Sequence, residues 1–316
     1  MILCISPNPA IDRALFVNSL EDRGTIRARA ALDCVGGKGA DTALVLSRLG
    51  VAHCLVSFMA GEYGHILEKL YRDYSIQSDL IWVKGETRTV TVIIEDKDHT
   101  MTQISQPGFP ITQADRQVLM DKIRQKVDPG TWVIAAGSLP PGAALDFYKE
   151  IALISRTAGS KFLLDASGEI LLQALPARPH IIKMNHQEFH SSFDLARQDD
   201  IEGVCSQALK VIKTYDLEAM VVTLGKNGVL LIRAGEVLHA RGPIVQAVNP
   251  AGAGDAVSAA LAARLQQGEP WSEALRWACA AGTSATLTAA TADCSLEVIK
   301  DLLPQIEIML ISVPDN

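Results

Sequence analysis

Apolar residues along the chain fall into short runs and helical stripes that take turns. Met1–Ser6 is a short apolar run closed by Pro7, which predicts a buried first strand. Ala43, Leu46 and Leu49 recur at helical spacing over 39–49, with Gly50 as the stop. From about residue 115 the alternation becomes regular. Helices are predicted over 113–127, 143–158 and 201–215, each preceding a strand, at 131–136, 161–165 and 219–224. A short helix holding Leu171 and Leu172 precedes a strand at 180–183, a hairpin covers 228–240, and helices over 253–267, 271–289 and 295–310 end the chain. Strands alternating with helices predict right-handed crossovers and a doubly wound parallel sheet of the α/β class.

Two segments break this rhythm. Residues 12–34 alternate charged and small residues with Leu15, Phe16, Val17 and Ile26. Residues 80–104 are rich in β-branched residues, with turn signals at Gly85 and Asp96–Asp98. Together they predict a small accessory β-sheet, a lid or a dimer surface, inserted in a single domain spanning 1–316. Composition agrees with this layering. Hydrophobic residues are 48% of the 316 and aromatics only 5%, so aliphatic side chains carry the core, as in helices packed on a parallel sheet. The net charge of −7 gives no basic footprint for nucleic acid. Six cysteines without a C-x-x-C pair read as reduced thiols of a cytoplasmic protein. The N-terminus reads as a strand and not a signal peptide, and no apolar run is long enough to span a membrane.

The sharpest chemical signal is Asn249-Pro250-Ala251-Gly252-Ala253-Gly254-Asp255, followed at once by a helix of small residues. A tight, glycine-flanked entry leaves the first N–H groups of a helix free beside the positive end of its dipole, which suits an anion. Asp255 then has two readings, a favourable charge at a helix start or a base for a hydroxyl proton during phosphoryl transfer. Gly36-Gly37-Lys38-Gly39-Ala40-Asp41 opens another helix, with close backbone approach, a point charge at Lys38 and an acceptor at Asp41. A Walker loop is excluded, since its first glycine would fall at Leu32 and no Ser or Thr follows Lys38. The dinucleotide fingerprint is excluded as well, because its third glycine would fall at Val257.

Gly36–Gly50 (GGKGADTALVLSRLG) and Asn249–Asp255 resemble the two signatures of the ribokinase/PfkB carbohydrate kinases, in the expected order. The segments 136–142 (AGSLPPG), 165–169 (DASGE), 183–188 (KMNHQE) and 222–228 (VTLGKNG) match between them, so the resemblance spans the chain. It implies a ribokinase-like fold, a Rossmann-like three-layer α/β/α sandwich with a β lid, with ATP and Mg²⁺ as cofactors and a monovalent cation such as K⁺. It places Asp255 as catalytic base and Gly252, Ala253 and Gly254 as the anion hole. Lys183, Asn185, Thr223, Gly225 and Gly228 fall on the nucleotide side, with Ala280–Thr288 passing near the adenine, and Asn185 and Glu188 fall near magnesium, through water. On the substrate side the resemblance puts Gly36, Gly37, Lys38, Gly39, Asp41 and Ser138.

The opening Asn8-Pro9-Ala10-Ile11-Asp12-Arg13 is similar to the 1-phosphofructokinase and tagatose-6-phosphate kinase branch, where Asp12 matches a binder of sugar hydroxyls. Arg27 and Arg88 match positions for a substrate phosphate, and guanidinium forks suit a phosphate dianion. The implied reaction is phosphorylation of a ketohexose phosphate, with a homodimer joined through the lid and neither nucleic acid nor membrane as partner. Rivals are a kinase of an unphosphorylated sugar or nucleoside, and a non-catalytic sugar-phosphate sensor. The chain departs from the family's usual residues at Asp41 (asparagine), at Met184 (proline) and near Asn249-Pro250 (threonine).

Overall fold

The computed structural model describes residues 1–312 apart from 21–23, 98–99, 197 and 199. The turn expected at Asp98 therefore lies outside the described residues. The chain runs β1 (Ile2–Ser6), β2 (Ala10–Val17), β3 (Ala30–Gly36), α1 (Lys38–Arg48), β4 (His53–Met59), α2 (Gly61–Asp73) and β5 (Ser78–Trp82). It continues through β6 (Arg88–Glu95), β7 (Thr100–Ser105), α3 (Gln113–Lys126), β8 (Trp132–Ala136), α4 (Phe147–Thr157), β9 (Lys161–Asp165) and α5 (Glu169–Ala174). Next come β10 (Ile181–Asn185), α6 (His186–Ser192), α7 (Ile201–Tyr215), β11 (Ala219–Thr223), β12 (Val229–Arg233) and β13 (Glu236–Arg241). The last elements are α8 (Ala253–Gln266), α9 (Trp271–Thr286), α10 (Leu296–Leu302) and β14 (Glu307–Leu310).

Ten strands form one sheet in the order β14-β13-β12-β11-β10-β9-β8-β1-β4-β5. From β11 to β5 the pairings are parallel, and β12, β13 and β14 add antiparallel edges. Successive side chains of a strand point to opposite faces. In β1, Ile2 and Cys4 join the core on one face while Leu3 and Ile5 join the core on the other, all with 0% exposure. Helices α1, α2, α8, α9 and α10 cover the first face, and α3, α4, α5 and α7 the second. Burial on both faces explains why the parallel strands read as unbroken apolar runs. Alanines 256, 259, 260 and 263 of α8 are fully buried; their small side chains let α8 lie close to both α1 and α9.

The chain adds β4 and β5 on one side of β1, then returns to add β8 on the other. At such a reversal the connections leave the carboxyl ends of the strands in opposite directions, opening a crevice. The second sheet, in the order β3-β2-β6-β7, stands over that crevice. Its inner face carries Ala10, Ala14, Phe16, Val90, Val92 and Ile94 as a small core against which Ala251 packs.

Several boundaries differ from the pattern reading, each for a local reason. The strand-rich segment 80–104 is divided: Leu80–Trp82 extend β5, which pairs with β4 in the large sheet, and only β6 and β7 belong to the small one. The helix expected over 295–310 stops at Leu302, because Pro304 cannot continue it, and 307–310 form an edge strand on β13. The helix expected from 143 begins at Phe147, after the Pro140-Pro141-Gly142 loop. β4, α2 and α6 carry no counterpart in the pattern reading.

Gly39 is where α1 docks on β1. A Cβ there would lie 2.3 Å from the Ile5 carbonyl oxygen and 2.9 Å from Ser6 Cα. Gly39→Ala is expected to destabilise the fold by about 2–3 kcal/mol through overpacking against backbone, read as a lower urea midpoint at unchanged slope.

Candidate active site

A cleft of 560 Å³ lies at the carboxyl ends of the strands under the lid. Three loops meet there. Gly37, at φ 94°, turns the chain from β3 into α1, and Gly252, at φ 78°, turns it into α8. A side chain at either residue would be strained, and a Cβ at Gly252 would also lie 2.4 Å from the Ala292 Cβ. Both turns therefore depend on glycine. The third loop, after β8, presents Ser138, whose hydroxyl accepts a hydrogen bond from Asn8 Nδ2 at 3.2 Å.

Asp165, at the end of β9, is fully buried and organises the cleft floor. Lys183 Nζ donates to its Oδ2 at 2.7 Å, Lys38 Nζ to its Oδ1 at 3.0 Å, and the Ser258 hydroxyl to Oδ2 at 3.1 Å. Burial pushes its pKa up, but Lys183 and Lys38 outweigh burial and hold it at about 2. Lys38 also donates to Glu188 Oε1 at 3.2 Å. Burial disfavours the ammonium, yet Asp165, Glu188 and Asp255 raise its pKa overall. Glu188 is held in turn by a reciprocal cap at the start of α6. The Asn185 side chain accepts from the Glu188 N–H at 2.8 Å, and Glu188 Oε2 accepts from the Asn185 N–H at 2.9 Å.

Asp255 sits in the first turn of α8 with 6% exposure, and its Oδ1 is buried without a hydrogen-bond partner. Burial and the nearby Asp165 carboxylate raise its pKa to about 7, against the pull of Lys183 and Lys38. It is a carboxylate poised to take up a proton near neutral pH. Arg88, from β6, faces it across the cleft and donates to the carbonyl oxygens of Asn8 at 2.9 Å and Gln106 at 3.1 Å. Among the described residues no carboxylate pairs with it, so a half-buried guanidinium is held by neutral groups and keeps its charge for an anion. Burial lowers its pKa, partly offset by Asp12 and Asp41.

The cleft brings together Asp12, Gly37, Lys38, Asp41, Arg88, Ser138, Lys183, Asn185, Glu188, Thr223, Gly252, Gly254 and Asp255. Six expected residues stand elsewhere. Arg27 is exposed on the connection between β2 and β3, outside the cleft lining. Gly36 and Gly39 act through packing: a Cβ at Gly36 would overlap Asp12 Oδ1 at 2.0 Å. Gly228 faces the hairpin, where a Cβ would meet the Ala240 carbonyl oxygen at 2.0 Å. Gly225 borders a neighbouring recess with Asn185 and Thr223, and Ala253 lies behind the cleft surface. Asp165 and Asn8 went unassigned by the sequence reading. A charged residue ending an apolar strand was the available signal for Asp165; for Asn8 there was none.

A layered sheet with a small β-sheet over a charged cleft at the strand ends defines an α/β protein with a binding site at its topological switch point. Residues 5–298 match the pfkB family of carbohydrate kinases, and the chain belongs to that family. It is a kinase with an alcohol group as acceptor, of a family that uses ATP with Mg²⁺. It is 28% identical over 308 residues to the 1-phosphofructokinase of Bacillus subtilis, covering 98% of this chain and 99% of the relative. To the D-tagatose-1-phosphate kinase of Bacillus licheniformis it is 29% identical over 295 residues, covering 93% and 95%. Its fold superimposes on phosphofructokinase-2 of Escherichia coli with a TM-score of 0.90 at 23% identity, over 96% of this chain and 98% of that one. The fold is thus ribokinase-like. Among the described residues no helix is long and apolar enough to cross a membrane.

Removing the Asp165 charge should expose its role. Asp165→Asn leaves two lysines sharing one neutral acceptor, and is expected to cost about 3 kcal/mol. Urea unfolding at neutral pH, with Ser258→Ala as a milder comparison, measures it.

Proposed function

We propose that the protein transfers the γ-phosphoryl group of ATP to a hydroxyl of a ketohexose phosphate. The observation that carries this reading is the pairing, in one cleft, of a buried Asp255 whose Oδ1 has no hydrogen-bond partner with a guanidinium at Arg88 that forms no ion pair among the described residues. The first is suited to receive a hydroxyl proton, and the second to hold a phosphate the acceptor already carries. The relatives' names, 1-phosphofructokinase and D-tagatose-1-phosphate kinase, support the same acceptor class.

In this reading Asp255 accepts the proton of the attacking hydroxyl, and the start of α8 at Gly252–Gly254 stabilises charge on the group in flight. Lys38 and Lys183, both fixed by Asp165, keep positive charge beside it. Asp12, Gly37, Asp41 and Ser138 orient the acceptor, with Arg88 on its phosphate. Asn185 and Thr223 lie on the nucleotide side.

Magnesium fits the residues present. It favours one or two carboxylates and several waters together with substrate phosphates, and Glu188 lines the cleft beside Asn185, where water could link the ion to both, without a closed cluster among the described residues. When bound it would neutralise phosphate charge. A monovalent cation such as K⁺ is a further candidate, because phosphofructokinase-2 of Escherichia coli has been solved in complex with potassium. The exposed Leu32 on one edge strand of the lid and Ile104 on the other suit a homodimer through that sheet, which light scattering would detect as twice the chain mass. A cytoplasmic setting suits the six free cysteines.

A coupled assay of ADP release over phosphorylated and free ketohexoses tests the reading. Asp255→Asn should lower kcat by about 10²–10⁴-fold. Arg88→Ala should raise KM for the sugar phosphate by about 10–100-fold and leave free ketohexoses unaffected. Wild-type kcat should fall as pH drops through about 7, because protonated Asp255 cannot accept the hydroxyl proton. Turnover of a free sugar in preference to its phosphate, with Arg88→Ala silent, would instead mark a kinase of unphosphorylated sugars.

A further inference from the structure

The acceptor end of the cleft holds two carboxylates from different elements. Asp12 comes from β2 and Asp41 from the first turn of α1; each is 4% exposed and each lines the cleft. Gly36 makes the room that Asp12 occupies. Asp41 Oδ1 is buried without a hydrogen-bond partner, and among the described residues neither carboxylate forms an ion pair. The charged groups facing them are Arg88 from β6, Lys38 at the start of α1 and Asp255 from α8, with Cys34 of β3 and Tyr71 of α2 as neutral titratable neighbours. Lys38 is already committed to Asp165 and Glu188. Asp12 and Asp41 thus share one guanidinium that forms no ion pair among the described residues, and two neighbouring buried carboxylates oppose each other's ionisation.

Resting on the sugar-phosphate kinase reading above, we propose that Asp41 and Asp12 recognise the acceptor as an acid–carboxylate pair. The Asp41 carboxyl donates a hydrogen bond to an acceptor oxygen while the Asp12 carboxylate accepts one from a hydroxyl. Burial pushes Asp12 up to about 7, and burial together with Asp12 pushes Asp41 well above the usual carboxylate range. Ionisation of the pair removes the donor and adds negative charge beside Arg88, so a phosphorylated acceptor binds less well as pH rises. Asparagine at position 41 keeps a donor and has no proton to lose.

The test compares the full chain with its Asp41→Asn variant, measuring KM for fructose 1-phosphate, fructose 6-phosphate and tagatose 6-phosphate across neutral and alkaline pH. The ratio of wild-type to variant KM should climb by up to about tenfold per pH unit once the pair ionises. Ionisation of the sugar phosphate itself, near about pH 6, affects both proteins alike and cancels in the ratio. Infrared difference spectra at neutral pH should show a protonated carboxyl that Asp41→Asn removes. A pH-independent ratio, or a carboxyl signal untouched by the substitution, overturns the proposal. Absence of wild-type turnover with all three sugars counts instead against the kinase reading, and the infrared spectra still decide the protonation of Asp41.

Discussion

One buried carboxylate, Asp165, ties the active-site floor together. An ionised group with no exposure is tolerated only where cations and donors surround it. Here Lys38 arrives from α1, Lys183 from β10 and Ser258 from α8, so elements from three parts of the chain converge on one side chain. Holding Asp165 charged also holds both lysines in place, and with Lys38 it holds Glu188. The helix carrying Asp255 is drawn onto the same point, because Ser258 lies one turn beyond it. The cost of burying charge is thereby turned into position: groups that must meet a phosphoryl transfer are fixed before any ligand arrives.

The backbone makes this convergence feasible. Reversal of strand order at β1 opens the crevice, and small residues allow the helices around it to approach closely. Gly39 lets α1 touch β1, the alanines of α8 let it lie against α1 and α9, and Gly252 lets the chain turn beside Ala292. The lid then closes one side with Asp12 and Arg88, so that these two cleft residues hang from a separate small sheet.

Electrostatics divides the cleft. At its floor a carboxylate paired with lysines stays ionised, as at Asp165. Asp12, Asp41 and Asp255 are buried with fewer cations beside them, and each is driven towards protonation. In the proposed reaction that would give Asp255 the proton affinity a base for a hydroxyl needs. The same residue type is thus held as an anion or raised in proton affinity, depending on what lies within a few ångströms.

Much of the architecture was legible in the sequence. Unbroken apolar strands, helical spacing over 113–127 and 201–215, and the glycine-flanked Asp255 follow from local rules of burial, periodicity and chain entry, which neighbouring residues settle among themselves. Other features depend on partners distant in the chain. The Asn185–Glu188 spacing is a capping box, yet without the helix it caps it reads equally as a strand-end turn. Gly228 and Gly36 look like ligand loops until Ala240 and Asp12 are seen filling the space beside them. Arg27 and Arg88 look alike in the sequence, and only the path of the lid leaves one in solvent and folds the other into the cleft. The sequence by itself determined most element types and the glycine-opened helix starts, because these depend on contacts between near neighbours, while β4, α2, α6 and the strand at 307–310 escaped it. Tertiary structure alone decided which charges pair, which remain alone and therefore which carboxylates are pushed towards protonation, because charge energies depend on burial and on distance between residues far apart in the chain, such as Lys38 and Asp165, 127 positions apart.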